Sequence, residues 1–167
     1  MKGFSLIELV TVILLLGIVT AVVAPRWFDT GDFDASVIST EVLSVARLAQ
    51  RTAVARPGVD ISLTIVRVGD QWRLEVLADD AGTVTMLHGV SVDVSSSIVA
   101  TAGVAGPATL STTDSLALTY DALGSTASVQ LAGSPGTVEG GVSLNLGSGD
   151  LRLCISPLGF AHAGNCI

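Results

Sequence analysis

Three hydrophobic patterns succeed one another along the chain. Residues 4–24, FSLIELVTVILLLGIVTAVVA, are apolar almost without interruption, and Glu8 is the one charge among them. Residues 36–55 place Ile38, Val42, Val45, Ala49 and Ala53 at spacings of four, three, four and four. That is the stripe of an amphipathic helix, which Arg56-Pro57-Gly58 stops. After Gly58 the period switches to two. Val59, Ile61, Leu63 and Ile65 alternate with polar residues, Gly69-Asp70 turns, and Trp72, Leu74 and Val76 alternate again, as in a hairpin. Val84 and Met86, then Val90, Val92 and Val94, predict further strands beyond a turn at Asp79-Asp80-Ala81-Gly82. Residues 95–113, rich in Ser, Ala, Thr and Gly, read as a long surface loop. Leu116, Leu118 and Tyr120 form another strand, Val129-Gln130-Leu131 a shorter one, and Gly133 to Gly141 a turn region. Val142, Leu144 and Leu146 pair with Leu151, Leu153 and Ile155 in a late hairpin. There is no internal repeat. Helix followed by antiparallel strands predicts an α+β fold.

The 21 residues of the first run would span about 32 Å as a helix, enough for a bilayer core. Pro25, Arg26 and Trp27 follow, the last two an interfacial pair in type. A secretory signal would carry more basic residues, a shorter apolar core and a small-residue cleavage site after it. Here only Lys2 precedes the run, and an acid sits five residues into it. A carboxylate in hydrocarbon costs about 2.5–3.5 kcal/mol, so Glu8 either reaches an interface or has a task.

Composition narrows the function classes. Of 167 residues, 49% are hydrophobic and 4% aromatic, so the folded part must be built from Val, Leu, Ile and Ala. The net charge is −7, and residues 74–167 hold eight acids against the single Arg152. With no extended basic surface to release counterions, a nucleic-acid partner is not expected. Arg47, Arg51 and Arg56 are the basic group of the second helix. They are either solvated or contacts for the acidic part of a neighbouring subunit. Asp29, Asp32 and Asp34 do not fit a calcium loop, which needs a 12-residue frame ending in Glu; they read as caps and solvated loop, with Asp34 or Ser36 as N-cap. His88 and His162 lack metal-motif spacing, and no P-loop, GxGxxG or GxSxG motif occurs. The expectation is therefore no catalytic residue, no metal, no cofactor and no enzyme. Cys154 and Cys166 are not CxxC-spaced. Outside the cytosol they would most simply form one disulfide, and in the cytosol two buried thiols.

Gly3-Phe4-Ser5-Leu6-Ile7-Glu8-Leu9, with the run behind it, resembles the class III signal of type IV pilins and type II secretion pseudopilins. The resemblance implies cleavage between Gly3 and Phe4 by a prepilin peptidase, N-methylation of Phe4, an assembly role for Glu8 and a helix kink at Pro25. The segment from Cys154 to Cys166 resembles the end of MSHA-type (mannose-sensitive haemagglutinin) minor pilins, and secretion pseudopilin H and FimT-like minor pilins share the architecture. The family fold would be a long N-terminal helix, its first half transmembrane, packed on a C-terminal antiparallel sheet. The division would be leader 1–3, transmembrane and assembly helix 4–25, connecting segment and amphipathic helix 26–58, and β-rich periplasmic head 59–167. The implied function is a minor pilin or pseudopilin in filament assembly or initiation, with an adhesive or ligand-binding tip subunit as the alternative. The implied partners are other pilin or pseudopilin subunits, prepilin peptidase, an inner-membrane assembly platform and the membrane. The chain would be single-pass in the inner membrane before assembly, and in a pilus or pseudopilus afterwards.

Overall fold

The computed structural model describes residues 6–23, 30–93, 95–103, 106–147 and 151–166. They fall into two compact units divided between Thr30 and Gly31. The first holds helix α1, Leu6–Val23. The second holds helix α2, Thr30–Ala55, which starts one residue before the division, and eleven strands.

Helix α1 has 18 residues. Among the described residues no helix is long and apolar enough to cross a membrane. The transmembrane helix expected over 4–25 is thereby overturned, and with it the single-pass inner-membrane placement and periplasmic head. The pilin-like arrangement of one long N-terminal helix on one sheet is also corrected. Among the described residues there are two helices, of 18 and 26 residues, and two antiparallel sheets.

The first sheet contains β1 (Asp60–Val68), β2 (Gln71–Asp80), β3 (Thr83–Asp93), β6 (Leu116–Tyr120), β7 (Thr126–Leu131) and β8 (Ser134–Gly136), in the order β3-β2-β1-β6-β7-β8. The second contains β4 (Ile98–Ala102), β5 (Pro107–Thr109), β9 (Val142–Leu146), β10 (Leu151–Ile155) and β11 (Ala161–Ala163), in the order β11-β10-β9-β4-β5. Period-two alternation puts every second residue of a strand on one face. In the first sheet, register aligns Leu131, Leu116, Ile65 and Leu74 in one buried row, and Val129, Leu118, Leu63 and Val76 in the next. In the second, Leu153, Leu144 and Ala100 form such a row. Helix α2 adds Ile38, Val42, Val45, Ala46, Ala49 and Ala53, and all these residues belong to one core.

The stretch 95–113 is not a surface loop. Strand β4 lies inside the second sheet, paired to β9 and β5, with Ile98, Ala100 and Ala102 fully buried. Its small residues hid an alternation that is strict in the structure. Residues 84–93 form one strand rather than two, with a bulge where Val76 and Leu77 face His88 and Met86 and Leu87 is the extra residue. Asp34 lies inside α2 and is not its N-cap. Its Oδ2 accepts hydrogen bonds from Ser95 N at 3.2 Å and Ser95 Oγ at 2.9 Å. The β2–β3 turn puts Ala81 at φ 51° and Gly82 at φ 89°, the paired left-handed conformation of a two-residue hairpin. Asp79 Oδ1 holds it by accepting from Gly82 N at 2.8 Å.

Two buried polar groups differ in fate. Trp72 donates from Nε1 to the Ser96 carbonyl at 2.8 Å. Tyr120 Oη finds no partner among the described residues, and burial pushes its phenol well above its ordinary pKa. Its neutral form is therefore the one the fold holds. The associated stability is whole below pH ~10, where an unfolded tyrosine begins to ionise, and falls as pH rises from there towards the folded value. Urea unfolding should show a loss of about 1.4 kcal/mol between pH 9 and 11 that is missing in Tyr120→Phe. Ile98→Ala should cost ~2–5 kcal/mol, as a buried central-strand position does, against ~0.5 or less for a surface loop.

Candidate functional site

Of the residues expected to matter, Gly3, Phe4 and Pro25 lie outside the described residues. Glu8 is in the first turn of α1 and exposed, and Thr11 Oγ1 donates to its carbonyl at 2.8 Å. Around it α1 is apolar on every side. Leu6 is 82% exposed, and Ile7, Leu9, Ile13, Leu14, Leu15, Leu16, Ile18 and Val19 are also exposed. A helix that is hydrophobic all round belongs in a buried setting. Within its own unit α1 has no such setting among the described residues.

The second unit presents a cleft between α2 and β3. Thr40, Ser44, Arg47, Leu48 and Arg51 line it from the helix and His88 from the strand, around a volume of about 500 Å³. The spacing of Thr40, Ser44, Arg47 and Arg51 is four, three and four, so these residues share one helical face beside the buried stripe. His88 reaches the cleft because of its register. It continues the buried row Val129, Leu118, Leu63, Val76 onto the edge strand, where it is exposed. Arg47 donates from Nη2 to the Ala161 carbonyl at 3.4 Å, which holds its side chain across to β11. Among the described residues the one ion pair is Arg73–Glu75, at 3.7 Å. Arg47 and Arg51 thus face the cleft with no carboxylate against them. Arg56 is exposed just beyond the helix end and does not line the cleft, so the structure joins only two of the three arginines.

The helix spacing of Thr40, Ser44, Arg47 and Arg51 is legible in the sequence. The contribution of His88 is not, because its phase with Val90 and Val92 does not say that α2 packs beside this edge strand.

Next to Arg51 on α2, Gln50 donates from Nε2 to the carbonyls of Gly124 at 3.3 Å and Leu158 at 3.1 Å. One side chain thereby holds the β6–β7 and β10–β11 loops together. Gly159, at φ 80°, sits against the Gly124 carbonyl, and a Cβ there would overlap that oxygen. The β10–β11 loop lies within the ring closed by the disulfide Cys154–Cys166, whose Cα atoms are 5.1 Å apart. Leu123, Leu158 and Phe160 stand exposed on these two loops.

No group of three or more His, Cys, Asp or Glu side chains among the described residues could hold a metal ion. Comparison with family models, with curated proteins and with solved structures returned no match.

The disulfide constrains a short ring, for which chain entropy gives about 3 kcal/mol. Cys154→Ser with Cys166→Ser should lower the unfolding free energy by roughly that amount, and reductant should do the same to the wild type. Urea titration with and without reductant checks both.

Proposed function

We propose that the chain is a subunit of a type IV pilus-like filament, a minor pilin or pseudopilin that joins copies of itself or its relatives through α1. The observation that carries this reading is α1 itself, a helix apolar on every side with one carboxylate in its first turn. Apolar surface of this extent is covered when several such helices bundle. In that bundle Glu8 enters a low-dielectric setting and needs a counter-charge. Cleavage between Gly3 and Phe4 by a prepilin-type peptidase supplies one, the new α-amine. Within one helix the amine and Glu8 lie at the same end. Between staggered copies, the Glu8 of one meets the amine of the next. A single buried polar pair among apolar helices fixes register, as buried polar residues do in coiled coils.

N-terminal mass spectrometry should find N-methyl-Phe4 as the first residue in both the wild type and Glu8→Ala. Glu8→Ala should be processed but reduced at least tenfold in sheared filaments. An intact Met1 in cells with an active prepilin peptidase would sink the reading. Trace amounts in filaments mark a minor subunit, and abundance the major one.

A further inference from the structure

The two sheets have four edges, and they are not alike. Strands β5, β8 and β11 have three residues each, and β5 and β8 each contain a proline. Short strands and proline are the ordinary means of keeping an edge from pairing with another chain. Strand β3 has 11 residues, contains no Lys, Arg or Pro, and carries its one charge at Asp93, its last residue. Its outer row of backbone N–H and C=O groups is unpaired by any strand among the described residues. The bulge at Leu87 interrupts that row and leaves His88–Asp93 as a continuous stretch. Helix α2 flanks it across the cationic cleft, and the Asp34–Ser95 hydrogen bonds pin the helix to the strand's far end. A free edge, a helix beside it and a groove between them make a receptor for an extended segment that adds as one more strand.

Charge decides what that segment is. Two copies joined symmetrically through β3 would bring Arg47, Arg51 and His88 of one against the same groups of the other. A segment bearing carboxylates is favoured instead. The chain is itself a source of them, with net charge −7 and eight acids in residues 74–167.

We infer that the α2–β3 groove binds an extended acidic segment of a second copy, which pairs with His88–Asp93 and places its carboxylates against Arg47 and Arg51. The contact is heterologous, since groove and segment are different surfaces. Contacts of that kind propagate into open assemblies unless the rotation closes a ring. The inference rests on the filament reading and adds to it a second contact, on the folded unit.

The test is hydrogen exchange on the full-length chain, dispersed and self-associated, in the wild type and in Arg47→Glu with Arg51→Glu. Association should slow the amides of His88–Asp93 at least tenfold in the wild type. The charge-reversed chain should exchange there at the dispersed rate, with β1 amides unchanged as the control for folding. Arg51→Glu with His88→Glu, which leaves the Arg47–Ala161 bond in place, should behave the same way. Association with no protection of β3 would overturn the groove and leave the filament reading standing. Protection that persists in both charge-reversed chains would mean pairing by a segment that is not acidic, and would also overturn the inference. A chain that never self-associates would overturn the inference, while the filament reading falls only to an intact Met1 in cells with an active prepilin peptidase.

Discussion

The second unit depends on burying one narrow stripe of α2. Ile38, Val42, Val45, Ala46, Ala49 and Ala53 are almost wholly out of water, and from Val42 onward none is larger than valine. Small side chains let a helix backbone approach its neighbours closely. Two sheets of alternating Leu, Ile and Val can then share one core with the helix at native packing density. With so few aromatics, Trp72 and Tyr120 are the largest buried side chains. Trp72 has a hydrogen-bond partner. Tyr120 Oη has none among the described residues, so this position is held by packing rather than by polar specificity.

That same packing generates the polar face of the helix. Fixing the stripe against the sheets turns Thr40, Ser44, Arg47 and Arg51 towards the edge strand, and Gln50 towards two loops. The cationic cleft and the loop clamp follow from one rotational setting of α2. A helix turned towards the next face would carry polar residues into the apolar rows, which costs free energy unless they find hydrogen-bond partners.

Legibility from sequence varied for physical reasons. Large β-branched and leucine residues alternating over β1, β2, β6, β9 and β10 announce themselves, and so does the stripe of α2. Strand β4, IVATA, alternates as faithfully, but Ala100 and Ala102 carry little hydrophobic signal, and the serines before it read as loop. Which strands share a sheet is decided by long-range pairing such as β1 with β6 and β4 with β9, and no local period encodes it. Helix α1 is described over Leu6–Val23, 18 residues against the 21 of the apolar run in the sequence. In the cleft, the arginines were visible as a helical pair. His88 was not: its phase with Val90 and Val92 gives its face, but only the long-range placement of α2 beside β3 brings it to the arginines.

One property of α1 has a consequence for symmetry. Because its apolar character has no sidedness, nothing in the helix prefers one azimuth over another when identical cylinders pack. In the bundle we propose, Glu8 would set the axial step between copies, but a single carboxylate near one end would leave rotation about the axis almost degenerate. The twist from one copy to the next is therefore a quantity that the helices cannot store. Whatever angular order such an assembly possesses must be written on the surface of the β-rich unit, and changes there would alter helical pitch without touching the bundle at the centre.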